Sequence, residues 1–125
     1  MKMLLTVFKA LADSNRLRII AALTQYDELC ATQIIELLQV KGASASRQLG
    51  ILMSAGLVES RRDGRWVYYS FQAPQSDYKS FIEWMKAEFE KSALVQQDIK
   101  LLEGITKYAP EELCRRQRGI KCCPV

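Results

Sequence analysis

Residues 31–71 read ATQIIELLQVKGASASRQLGILMSAGLVESRRDGRWVYYSF, and this stretch decides the fold. Ile34, Ile35, Leu37 and Leu38 recur at helical spacing, so Ala31 to about Val40 is expected to be a helix. Lys41-Gly42 breaks the pattern, because glycine takes turn conformations that other residues resist. A second helix is expected from about Ala43 to Ala55, ended by Gly56. Its Leu49, Leu52 and Met53 share one face and should pack inward. Ser44, Ser46, Arg47 and Gln48 then project from its N-terminal half, beside Lys41. That layout is a helix-turn-helix, whose second helix enters the DNA major groove. Leu57–Ser60 and Trp66–Phe71 read as two strands, the second rich in aromatic and β-branched residues. Asp63-Gly64 signals a hairpin turn, and Arg61, Arg62 and Arg65 stand at its tip. Alone, those arginines would only keep a turn soluble. Beside a helix-turn-helix they suit the phosphate backbone.

Outward from this stretch, the 125-residue chain has the length of one small domain, with an ordinary apolar content of 49%. The expected architecture is mainly α with a small β-hairpin (α+β). No apolar run approaches the ~20 residues of a membrane span. Met1-Lys2-Met3-Leu4-Leu5 lacks a long apolar stretch and a cleavage site, so the expectation is no signal peptide and a cytoplasmic, reducing location.

The net charge of +4 is unevenly placed. Residues 41–72 carry five basic and two acidic groups, and residues 113–125 carry four basic and none acidic. Residues 73–112 carry five basic and eight acidic groups. Positive charge therefore gathers on the proposed DNA reader, the expected footprint of nucleic-acid binding, and on the tail.

Upstream, Leu4, Leu5, Phe8 and Leu11 form an apolar stripe on a helix expected from Met3 to about Ala12. Asp13-Ser14-Asn15 breaks it and caps a helix from Arg16 to about Thr24, with Leu17, Ile20 and Leu23 facing the core. Thr32 is a candidate cap for the first helix of the helix-turn-helix. Downstream, Pro74 and Ser76 mark a boundary. Tyr78, Phe81, Ile82, Met85 and Phe89 then form an amphipathic stripe on one helix from about Ser76 to Glu103, ended by Gly104. Pro110 opens a short helical turn. That stripe can pack against its own domain or against another subunit. Residues 1–104 are thus expected to form one domain around the DNA reader, and residues 105–125 a cysteine-containing tail.

FKALADSNRLRII, ELC, SRQL and AGLVESRRDGRWVYY, in that order, resemble the ArsR–SmtB family of bacterial repressors, arsenic-responsive type. The resemblance spans roughly Phe8 to Phe71. It implies a winged helix-turn-helix homodimer that holds double-stranded operator DNA, blocks transcription, and lets go when ligand binds. It also implies that the two terminal helices build the dimer interface. Ser46 and Arg47 match the family's recognition-helix pattern. Gln48 stands where the family usually has His, and can still pair with adenine. Lys41-Gly42 replaces the usual Ser-Gln at the turn.

The four cysteines are Cys30, Cys114, Cys122 and Cys123, and there is no histidine. Absent histidine removes Cys-His and Ser-His nucleophiles and the usual general base. A cysteine-based enzyme also lacks a C-x-x-C pair and a Gly-rich phosphate loop, so no catalytic site and no organic cofactor are expected. A turn at Gly119 would gather Cys114, Cys122 and Cys123. Three thiolates suit a soft, trivalent ion such as arsenite or antimonite, and the tail's cations would lower thiol pKa values. The alternatives are a thiol-redox switch, or a cadmium or zinc site completed by Cys30. Cys30 stands where ELC-x-C arsenic sensors of the resembling family place a first ligand, but Thr32 occupies the second position. Cys30 can equally be a buried small hydrophobe.

Overall fold

The computed structural model describes residues 2–72 and 79–113. In chain order these form α1 (Lys2–Leu11), α2 (Ser14–Gln25), β1 (Leu29–Cys30), α3 (Ala31–Leu38), α4 (Gly42–Ser54), β2 (Val58–Asp63), β3 (Trp66–Phe71), α5 (Lys79–Lys91) and α6 (Ala93–Ile105). Residues 110–113 add a helical turn. No helix among the described residues is long and apolar enough to cross a membrane.

Each boundary has a local cause. Asp13 caps α2, its carboxylate accepting from the Arg16 backbone N–H at 3.1 Å. Cys30, rather than Thr32, is the N-cap of α3, and the Gln33 side chain accepts from its backbone N–H at 2.9 Å. Thr32 is instead fully buried. The bend between α3 and α4 rests on Gln39, whose φ of 55° is left-handed, and Gly42 begins α4. The Lys41-Gly42 break is therefore real but displaced. Gly56, at φ 77°, makes the turn from α4 into the sheet.

The sheet order is β1-β3-β2, all antiparallel. Asp63 pairs with Trp66, so Gly64 and Arg65 are the two central residues of the hairpin. Gly64 has φ 63°, and glycine at the first central position is what a II′ turn requires. The third strand, β1, was not expected from the sequence. Its two residues pair Leu29 with Tyr69 and Cys30 with Tyr68.

The core gathers Ile19, Ile20, Ile34, Leu37, Leu49 and Leu52 of the three central helices. Leu57 continues it under the sheet, and Leu102 and Leu113 close it from the C-terminal side. Leu17 is only partly buried against this cluster. Met53, expected inside, is 40% exposed.

The expected single helix from Ser76 to Glu103 is two helices. Ser92 interrupts it and caps α6, its hydroxyl accepting from the Val95 N–H at 3.3 Å. A serine at that point offers the backbone a competing hydrogen bond, which ends one helix and starts the next. Gly104 lies inside α6 rather than after it. The beginning of the expected helix at Ser76 lies outside the described residues.

The α1 stripe divides. Leu11 is buried together with Val7 and Ala10, whereas Leu4, Leu5 and Phe8 are exposed at 37, 50 and 49%. On α5, Ile82 and Met85 turn inward and Trp84 is 59% exposed. Phe8 meets Phe81 edge-on at 5.8 Å between centroids, and Phe81 contacts Trp84. A single chain thus carries a continuous apolar surface on α1 and α5.

Candidate nucleic-acid interface

Helix α4 owes its position to Ala45, Leu49 and Leu52, which bury one side of it. That leaves Ser46 and Arg47 exposed and Ser44 and Gln48 half-buried on its flanks. Lys41 is exposed at the N-cap. Four backbone N–H groups at a helix start lack helical partners. With Lys41 beside them, this end of α4 is electropositive and can accept a phosphate or an acceptor edge of a base.

Gln48 does not stand free. Its Oε1 accepts from Arg16 Nη1 at 2.7 Å. Arg16 also donates from Nε to the Ala10 carbonyl at 2.6 Å and from Nη2 to the Lys9 carbonyl at 3.3 Å. A guanidinium has no acceptor, so the Gln48 amide must face it with oxygen. Arg16 therefore ties the end of α1, the start of α2 and the middle of α4 together. Sequence reading did not single out Arg16, because this link joins positions 32 residues apart.

The hairpin carries its arginines on β2 and its turn. Arg61 is held by Glu28 in a two-point ion pair, Nε at 2.9 Å and Nη2 at 2.8 Å from the two carboxylate oxygens. Its guanidinium lies over the Tyr68 ring, 4.9 Å from the centroid. The hydrogen bond from Arg61 holds the Glu28 carboxyl below the usual carboxylate range and raises Arg61 in turn. Arg65 lies over the Trp66 ring and 3.6 Å from Glu111. Arg62 is exposed, opposite Val67 in the register. Two of the three wing arginines thus face carboxylates distant in sequence, Glu28 and Glu111.

Cys30 is fully buried, and its Sγ lies 3.0 Å from Thr32 Oγ1. Among the described residues, no three His, Cys, Asp or Glu side chains gather as a metal site. Cys114, Cys122 and Cys123 lie outside the described residues.

Comparison with known proteins agrees with this geometry. The family described as "Bacterial regulatory protein, arsR family" matches residues 13–60. The cadmium resistance transcriptional regulatory protein CadC of Listeria innocua is 44% identical over 62 residues, which are 50% of this chain and 52% of that protein. The chain thus matches about half the length of that relative. The arsenical resistance operon repressor of Escherichia coli is 33% identical over 95 residues, 74% of this chain and 81% of that protein. Among solved structures, a homodimeric winged helix-turn-helix DNA-binding domain of Mycobacterium bovis, a possible ArsR-family regulator, superposes with a TM-score of 0.60. It is 30% identical and covers 72% of this chain and 81% of that domain. With an exposed reading helix, a basic β-hairpin and these similarities, the chain is a winged helix-turn-helix member of the ArsR family of bacterial regulatory proteins.

Proposed function

We propose that the protein is a cytoplasmic, homodimeric repressor that binds double-stranded operator DNA and releases it when trivalent arsenic or antimony is held by cysteine thiolates. The observation that carries the DNA reading is α4, exposed along Ser46 and Arg47 with Lys41 at its start. Ser44, Ser46 and Arg47 serve as groove contacts, with Gln48 steadied by Arg16 at their side. Arg61, Arg62 and Arg65 serve the backbone from the wing. The apolar surface shared by α1 and α5 supports the homodimer. Two copies of a reader match two half-sites of a palindrome.

The inducer reading rests on composition and relatives. The compared repressors are named for arsenical and cadmium resistance. Cys114, Cys122 and Cys123 supply three thiolates, the donor set a trivalent thiophile takes. Cys30 is a weaker candidate, because ligand would have to reach a thiol sealed in the core against Thr32. The tail follows α6, which the Arg18–Asp98 ion pair joins to α2. Gathering the tail cysteines would shift α6 and with it the spacing of the two readers. A coupling of about 1–3 kcal/mol is enough for such a switch.

The test is to titrate the reduced protein, bound to a fluorescent promoter fragment, with arsenite, antimonite, zinc, cadmium and peroxide. Release by arsenite or antimonite, lost in Cys122→Ser/Cys123→Ser, is the expected result. Release by peroxide alone would make the tail a thiol-redox switch. A cadmium or zinc response that needs Cys30 would move the site there.

A further inference from the structure

Between α1 and α4 lies an open cleft of about 630 Å³. Its floor is apolar, with Ala10 from α1 and Ile51 from α4. Its cations are Lys9, Arg16 and Arg47, and no carboxylate lines it. None of the three forms an ion pair with a described carboxylate. Arg16 is half-buried, yet its three acceptors are neutral: two backbone carbonyls and the Gln48 amide. Those bonds use three of its five N–H groups. One N–H on each terminal nitrogen remains, and so does the whole charge. The space over Gly50 is open: a Cβ built there meets nothing within 4 Å, so a side chain placed at this position would enter the cleft.

We propose that this cleft holds a phosphate of the DNA backbone, clamped by Lys9, Arg16 and Arg47; the inference rests on the DNA-binding reading above. Arg47 connects the two surfaces. It is exposed beside Ser46, one residue away on the reading face, and it also lines the cleft. Were α4 laid in the groove, its α1 side, where the cleft opens, would face one of the two strands that border the groove. Contacts of this kind fix orientation and carry no sequence information. On this assignment the wing grips the backbone on one side of α4, and α1 with α2 grips it on the other.

The experiment compares the full-length wild type with Lys9→Ala and Lys9→Gln. A duplex is selected from a random pool by the wild type, and a scrambled duplex of the same composition is the second probe. Affinities are measured across a series of sodium chloride concentrations. Loss of the Lys9 contact should lower the slope of log K against log salt by about 0.9. It should weaken selected and scrambled duplex by the same factor. Gly50→Glu, which sets a carboxylate in the cleft, should weaken both more than Gly50→Gln does. Should the Gly50 variants fail to fold, the exposed Lys9 variants decide alone. An unchanged slope in both Lys9 variants, with the wild type binding DNA, overturns the clamp and leaves the DNA-binding reading standing. No binding of any duplex by the wild type overturns both. Inorganic phosphate that shifts the Arg16 and Arg47 guanidinium NMR signals, with the Lys9 slope unchanged, would make the cleft a free-anion site and overturn the proposal.

Discussion

Arg18 and Asp98, 80 positions apart, face each other across α2 and α6 through two charge-assisted hydrogen bonds, Nε at 2.9 Å and Nη2 at 3.0 Å from the carboxylate oxygens. The Asp98 side chain is 4% exposed and that of Arg18 is 18%. The same guanidinium donates to the Leu37 carbonyl near the end of α3. One side chain thus binds the last long helix to both α2 and the helix-turn-helix. Removing one partner of such a pair leaves a buried charge uncompensated, at a cost of about 3 kcal/mol. Asp98→Ala should therefore lower the urea midpoint strongly, while Arg18→Met/Asp98→Leu should lose less than Asp98→Ala alone. A change below about 0.5 kcal/mol in Asp98→Ala, the size of an ordinary surface substitution, would mean that the pair does not hold α6.

If Arg61 contacts DNA phosphate as proposed, Glu28 should restrain the wing in the absence of DNA. Its carboxylate occupies the Arg61 fork that a phosphate would otherwise take. Glu28→Gln should free that fork, raise affinity for duplex DNA, and steepen the salt slope by up to about 0.9. The pair also sets a pH dependence. The folded Glu28 pKa lies below its ordinary value of 4.5. Its contribution to stability is therefore complete above that value and disappears as pH falls through the lowered folded value. Both side chains are substantially exposed, so the effect on stability is small. Comparing acid unfolding of wild type and Glu28→Gln checks the sign: the two curves should converge as pH falls. A constant gap would sink the assignment.

Local pattern made the helix-turn-helix and wing legible. Leu49 and Leu52 recur at helical spacing, and Trp66–Phe71 has strand composition; both reach the core or sheet as expected. Pairing across long sequence distance left no local trace. Strand β1 is two residues long and exists because Tyr68 and Tyr69 stand opposite it. Nothing in the order of residues announces that Gln48 is bonded to Arg16, or Arg61 to Glu28. The break at Ser92 was hidden for another reason. The apolar stripe ended at Phe89, and no glycine or proline marked the end of one helix and the start of the next, only a hydroxyl able to cap. Met53 shows the limit of periodicity itself. It sits at the edge of the α4 apolar face, where a small rotation decides between core and solvent.

Leu5 should decide the oligomeric state. It is 50% exposed on a surface with Leu4, Phe8 and Trp84, more apolar area than a scattered surface residue explains. Half of the Leu5 surface is left to bury, worth about 0.8–1.5 kcal/mol. Two copies across a two-fold interface give about 1.5–3 kcal/mol. Leu5→Asp should therefore raise the dimer dissociation constant at least about 10-fold, read by sedimentation. Circular dichroism should stay native, because Leu5 adds little to the core of its own chain. DNA affinity should fall on a two-half-site duplex and change little on a single half-site. A variant that remains dimeric would place the interface elsewhere.

Cys30 and the tail cysteines should separate by reactivity. Thiols react as exposed thiolates, and Cys30 is fully buried on the N-cap of α3, against Thr32. Brief treatment of the native, reduced protein with iodoacetamide should leave Cys30 unmodified in the mass spectrum; in denaturant it should react. Native protection of Cys114, Cys122 and Cys123 by prior arsenite is the result the tail-site reading requires. Cys30→Ala removes a small buried side chain, at a cost of about 1 kcal/mol, and should leave arsenite-driven release of DNA intact. If Cys30→Ala instead abolished release while the tail cysteines alkylated equally with and without arsenite, the ligand would have to enter the core beside α3. The inducer site would then lie within the helix-turn-helix itself, and the proposed route through α6 would fail.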